Sequence, residues 1–400
     1  MATRRQTREQ PSLAGAPWLA DARVQAILAL LNAEGGEARV AGGAVRNALL
    51  GVPVADIDIA TTLSPQEVMR RCQARQFAVH PTGIEHGTVT VVVQRMPFEV
   101  TTLRRDVSTD GRRATVAFTG DWAEDAGRRD FTMNAMYCDA AGNVYDYSDG
   151  YKDILHRKVK FVGTPSRRIR EDYLRILRFF RFHAAYGQGA PHAAGLAACT
   201  RLRKGIENLS AERIRQELLK ILVAPRAVET LKVMAASRIL EKVLDHVPAW
   251  RVIARLPADS VLRLSALARH SAGLRERLRL SNEEARRLQQ IAEAPTLTPD
   301  LHAHERHRIL YALGAEAWRD AVHMSLAQSR APLDDPDWRE LLTVPDRWPV
   351  PTFPVSGRDL QAAGLAPGPA MGQTLRSLED WWIASDFKPT REELLARAKH

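Results

Sequence analysis

Asp56-Ile57-Asp58 sets two carboxylates two residues apart in the run ADIDIA, which reads as a strand over 55–60. Residues two apart on a strand project from one face, so both acids point one way while Ile57 and Ile59 pack inward. Like charges held that close repel unless a cation lies between them. Oxygen-only ligands suit Mg²⁺, which takes few protein carboxylates and completes its shell with phosphate oxygens. A two-metal site needs a third acid. Glu99, alone in the otherwise apolar strand 98–103, is the candidate, with Asp106 behind it. Ahead of the acids, Gly42-Gly43 joins a short strand at 39–41 to a helix at 44–50 that carries Arg46. Glycine lets backbone approach a phosphate, the free N–H groups of the helix start point at it, and Arg46 adds charge-assisted hydrogen bonds. The chemistry this spells is metal-assisted handling of a triphosphate.

The elements that must position these groups form an α/β stretch from about 21 to 105. Helices are expected at 21–31 and 65–75, strands at 88–94 and 98–103, and a polar, Gly-bearing mobile loop or hairpin at 104–120. Short β signals recur near Tyr137, Tyr145 and 159–162. Beyond Thr164 the pattern turns helical: 166–186, 210–222, 227–236 and several segments from 250 to 330. Proline and Trp accumulate over 331–354, which reads as a linker or irregular connection, and a last helix runs through Trp381-Trp382. Residues 1–20 read as a flexible tail. The fold class expected is α+β: a head with a mixed or antiparallel sheet, 21–150, followed by an all-α neck (151–225), body (226–330) and tail (331–400).

Composition narrows the partners. The 400 residues carry a net charge of +10 and a pI near 9.8, which suits a polyanion, although with only nine Lys an Arg bias could also follow from base composition. Three scattered cysteines give no disulfide framework and favour a reducing compartment, the cytoplasm. No apolar run spans a bilayer, and no apolar core follows the basic N-terminus as a signal peptide would require. His302, His304 and His307 form HxHxxH without a nearby Cys, so a zinc site is not expected.

Four ordered motifs, GGAVRNALLG (42–51), DIDIAT (56–61), RRDFTMNA (128–135) and REDYLRILRFFRF (170–182), resemble the class II CCA-adding tRNA nucleotidyltransferases and bacterial poly(A) polymerases. The resemblance covers about 39–220, with a family-like tail at 355–395. It implies a polymerase-β-like head, Mg²⁺ as cofactor, CTP and ATP as substrates, tRNA as partner, and no membrane or obligate protein partner. The activity implied is template-independent transfer of CMP and AMP to tRNA 3′ ends. A poly(A) polymerase, an A-adding or CC-adding relative, and a catalytically inactive RNA-binding protein stay open. Asn47 stands where the family usually has Asp, from which weaker local hydrogen bonding is expected.

The resemblance also implies roles. Asp56 and Asp58, with Glu99, would be catalytic and hold the metal; Gly42, Gly43 and Arg46 would hold the triphosphate. Arg129 and Asp130 would bind the ribose, Asp130 accepting from the 2′-OH. Asp172 and Arg175, of the ExxxR pattern Glu171–Arg175, would read the base, with Arg178 and Arg181 holding base or phosphates. A carboxylate accepts from the amino groups of cytosine and adenine while a guanidinium donates to their ring nitrogens. Uracil and guanine offer a carbonyl instead and leave buried groups unpaired. Arg213 and Glu217 read as a structural pair supporting the neck.

Overall fold

A computed structural model describes residues 11–110, 113–270 and 273–398. The chain divides into two compact units, Met1–Val243 and Leu244–His400.

The first unit opens with α1 (Ala22–Leu31), capped by the Asp21 carboxylate on Arg23 N–H. Next come β1 (Ala38–Ala41), α2 (Gly43–Leu50), β2 (Asp58–Thr61) and α3 (Pro65–Ala74), which starts at the Ser64 cap. Strands β3 (Ala78–Gly83), β4 (Thr88–Val93) and β5 (Met96–Thr102) follow, then the hairpin β6 (Arg104–Asp110) and β7 (Arg113–Phe118). A short α4 (Trp122–Gly127) leads to β8 (Met136–Cys138), β9 (Val144–Asp146) and α5 (Gly150–Leu155). The main sheet has the order β3-β4-β5-β2-β1-β8-β9; only β2 and β5 run parallel. This is the expected α+β head with a mixed, mostly antiparallel sheet. Alternation sorts the faces: Val89, Val91 and Val93 are buried while Thr88, Thr90 and Val92 are half-exposed.

The helical remainder of this unit comprises α6 (Pro165–Glu171), α7 (Leu174–Tyr186), α8 (Ala193–Leu202), α9 (Ala211–Leu222) and α10 (Ala227–Ala236). The apolar face of α7 buries Ile176, Leu177, Phe179 and Phe180 completely, and Phe179 stacks on Phe161 with centroids 5.5 Å apart.

Four expectations are corrected. β2 begins at Asp58, not at 55, because its ladder starts at Ala41↔Asp58, where β1 ends and Gly42 turns the chain away. The helix expected at 166–186 is two helices: Asp172 is extended (φ −156°, ψ 109°) and its carboxylate accepts from Leu174 N–H, restarting the helix as α7. Residues 11–20 are pinned to the head, with Leu13 and Leu19 buried and Leu13 N–H bonded to Gly142 O at 2.7 Å; residues 1–10 lie outside those described. The Pro-rich 331–354 contains a helix, Pro336–Arg347, because Pro336 occupies the first turn, where its missing N–H costs nothing, and Asp335 caps it.

Helices make up the regular structure described in the second unit; the run Ala303–Gln328 is broken at Gly314 (φ 77°) into two, and the longest unbroken helix is Pro369–Ala384. One core gathers Leu310, Trp318, Val322 and Leu341, and another Leu360, Leu378, Trp382 and Leu394. In the HxHxxH run, His304 pairs with Asp386 at 3.1 Å and His307 stacks on Trp348.

Candidate nucleotide-binding cleft

Gly42 caps α2 with φ 65°, a conformation that disfavours every residue but glycine, and its N–H bonds to Met136 O. A Cβ there would lie 3.0 Å from Arg129 Nη1 and 3.4 Å from Asn134 O. The turn is therefore held between β1 and the 3₁₀ turn Thr132–Asn134. We expect Gly42→Ala to lower kcat/KM for CTP about tenfold or more, and to lower the melting temperature by a few degrees, since a forced positive φ costs about 1–3 kcal/mol. Steady-state kinetics with a thermal melt on one preparation measures both.

From this turn opens a cleft of about 460 Å³. Its walls include Gly42, Gly43, Arg46, Asp58, Arg129, Asp130, Asp172, Arg175 and Arg178, nine of the residues expected from sequence, gathered from four separate stretches. Arg128, Asn134, Leu174, Phe182 and Arg213 complete it. Six arginines face three aspartates, a balance suited to a polyanion.

The acids divide into two sets. Asp130 accepts at one oxygen from Phe131 N–H and Asn134 Nδ2, and at the other from Nε and Nη2 of Arg178. Burial works against its charge, but Arg178 and these bonds hold its pKa down to about 2. Asp172 bonds Leu174 N–H at one oxygen and Arg213 Nη2, 2.7 Å away, at the other. Glu171 pairs with Arg175 at 2.6 Å and also with Arg168, and Glu217 pairs with Arg181 at 2.6 Å. Asp56, Asp58 and Glu99, in contrast, make no side-chain hydrogen bond or ion pair to another described residue. Asp58 stands directly beside Glu99 in the parallel β2–β5 register, so both project from one face, and Asp56, exposed, lies in the chain just before β2. The Asp58 carboxyl is pushed above its usual value, first by desolvation and then by the charge of Glu99, against the pull of Arg129, with Asp56 pushing further up.

These acids have the composition and mutual repulsion that a divalent cation relieves, and so fit one. They are not a ready-made cage: among the described residues no three His, Cys, Asp or Glu side chains are gathered closely enough to hold a metal ion. The fallback acid, Asp106, belongs to β6 in a stretch whose side chains lie outside those described.

Several sequence readings change here. Arg46 is 8 % exposed and donates to Asn47 through Nε and Nη2, to Asn134 at 2.6 Å and to the Tyr186 hydroxyl. At most one of its N–H groups is left for a phosphate, so it braces the cleft more than it grips a ligand. The four acceptor positions of Asp130 are filled from within the protein, so it fixes Arg178 and is not an open acceptor for a ribose. Arg213 and Glu217 do not pair with each other; Arg213 holds Asp172 and Glu217 holds Arg181. Asn47 is not weakly bonded: it accepts from Arg46 and donates to Pro53 O at 2.9 Å, and an Asp could not make that last bond. Arg175 spends Nη1 on Glu171 and Arg168 O, which leaves Nε and Nη2 free of described partners and able to meet a base. Asp125 and Asn134, given no role in the sequence reading, sit under the arginines; the signal was that Asn134 lies within RRDFTMNA and Asp125 three residues before it.

A basic, ligand-sized cleft against acids of the central strands β2 and β5 defines a nucleotide-handling head of the polymerase type, and residues 38–160 match the model described as the poly A polymerase head domain. Residues 193–250 match the probable RNA and SrmB-binding site of polymerase A. The mitochondrial CCA tRNA nucleotidyltransferase 1 of Danio rerio is 36% identical over 386 residues, covering 90% of this chain and 86% of its own. The CCA-adding enzyme of Streptococcus sanguinis is 33% identical over 374 residues, covering 88% of this chain and 90% of its own. Among solved structures, the Bacillus stearothermophilus CCA-adding enzyme in complex with CTP superposes with a TM-score of 0.80 at 27% identity, covering 94% of this chain and 96% of that one. The chain belongs to the CCA-adding tRNA nucleotidyltransferase family and is an enzyme of that type. No helix among the described residues is long and apolar enough to cross a membrane.

Proposed function

We propose that this enzyme transfers CMP and then AMP from CTP and ATP to the 3′ end of tRNA, without a nucleic acid template, building or repairing the CCA terminus and releasing pyrophosphate. The observation that carries this is the cleft itself: arginines, a glycine turn, the partnerless Asp58, and both Asp172 and Arg175 reach one ligand-sized space, with Glu99 beside Asp58 in the sheet register. Asp56 and Asp58, with Glu99, would hold Mg²⁺, which when bound neutralises phosphate charge and lowers the pKa of the RNA 3′-hydroxyl. The remaining work belongs to the chain. The Gly42-Gly43 backbone with Arg128 and Arg129 orients the triphosphate, Arg46 and Asp130 brace the wall, and Arg178 and Arg181 support the base site. Asp172 accepts from the amino group of C or A while Arg175 donates to the ring, which excludes U and G by leaving acceptors facing acceptors. Transfer is then chiefly positioning and electrostatics.

The head (21–150) and neck (151–225) carry this chemistry; the helical body (226–330) and tail (331–400) bind the tRNA through backbone contacts that weaken with salt. Three buried, unpaired cysteines suit a reducing cytoplasm. The test is product sequencing after incubation of tRNA lacking its 3′ terminus with CTP and ATP. The expected product ends in CCA. Products ending in CC, in a single added A or in a long A tract identify the relatives with altered product, and no incorporation at all overturns the reading.

A further inference from the structure

Asp125 lies on α4, 1 % exposed, beneath the cleft. Its Oδ1 accepts from Arg128 Nε at 2.8 Å and lies 2.7 Å from Arg128 Nη2; its Oδ2 accepts from Nη2 and Nε of Arg129 at 3.1 and 3.3 Å. The same carboxylate accepts from the Tyr137 hydroxyl at 2.6 Å and from Arg104 N–H, where the β6–β7 hairpin begins. One buried acid thus engages the Nε/Nη2 edge of two guanidiniums, both of which line the cleft. Engaging that edge turns the Nη1 edge the other way. For Arg129 the result is visible, since Nη1 lies 3.0 Å from the Cβ position of Gly42, against the turn that would cradle phosphate. A carboxylate buried this deeply is tolerated because the arginines compensate it, and one negative charge for two positive ones leaves a net positive floor.

We infer that Asp125 is the positioning residue for the triphosphate, holding Arg128 and Arg129 so that their free N–H groups meet phosphate oxygens. This rests on the nucleotidyltransferase reading above. The test compares CTP with CMP, each with Mg²⁺, titrated calorimetrically into the full-length protein and into D125N. D125N should bind CTP about tenfold or more weakly while CMP affinity changes much less, and ATP should lose as much as CTP, because the deficit lies at phosphate and not at base. D125E, which keeps the charge, should recover part of the loss. Equal losses for CTP and CMP, or none, overturn the inference. If D125N does not fold, the comparison is made with D125E; failure of both to fold makes Asp125 a scaffold residue and overturns it too. Absence of CTP and ATP binding to the unmodified protein would instead remove the nucleotidyltransferase reading.

Discussion

Asp58→Ala is expected to abolish nucleotide incorporation, with kcat down about 10³-fold or more, while tRNA binding stays within about twofold of the parent. The loss is large because Asp58 lies in register with Glu99 and pairs with no described cation, so its charge is free for the reacting phosphates and their metal. Binding survives because phosphate contacts over a basic body dominate affinity for RNA. Single-turnover incorporation and a gel-shift titration on one preparation give the two numbers. Normal turnover would end the assignment of this acid. The raised Asp58 pKa adds a sign. A carboxyl that binds its proton more tightly when folded loses folding free energy as pH rises through its titration. At neutral pH the Asp58 charge is therefore destabilising, and Asp58→Ala should melt no lower than the parent. For the same reason Asp58 in the metal-free parent should titrate above a free aspartate, about 3.9, as read by NMR of its carboxyl group.

Asp172→Ala is expected to relax base choice: the efficiency ratio of UTP to CTP should rise about 10- to 100-fold, the range expected when one hydrogen-bonding partner ceases to discriminate. Each Asp172 oxygen already carries one protein hydrogen bond and keeps acceptor capacity for an exocyclic amino group. The variant should also lose about 1–2 kcal/mol of stability, because the cap on α7 and the pair with Arg213 disappear. Asp172→Asn keeps a capping oxygen and separates the two effects. Competition between CTP and UTP at a tRNA end, read by sequencing, measures the ratio; rejection of UTP unchanged in both variants would remove Asp172 from base selection.

What could be seen in advance follows from the range of the forces involved. The Gly42-Gly43 turn, the Asp58 strand and the arginine row of α7 are encoded by spacing within ten residues, and periodicity reports such spacing directly. Asp125 meets Arg128 and Arg129 by local i,i+3 and i,i+4 spacing, but its contacts with the Tyr137 hydroxyl and Arg104 N–H come from tertiary packing that nothing beside it in sequence marks. The break at Asp172 was hidden because apolar periodicity continues across it, from Ile169 to Leu174; the interruption comes from one carboxylate bonding one N–H. Arg46 shows a further limit: sequence gives a cation in the right place but not that Asn47, Asn134 and Tyr186 already occupy it. The helix at Pro336–Arg347 was masked by prolines that composition marks as breakers: Pro336 is harmless in the first turn, and Pro345 is carried inside the last turns of the same helix.

If Asp172 inspects incoming bases as proposed, then, because its carboxylate also restarts the broken neck helix, accuracy and foldedness share one side chain. A drifting lineage that traded Asp172 for a laxer residue would yield chains prone to unfold, and cellular proteolysis would remove much of the sloppy catalyst before it mislabelled many transcripts.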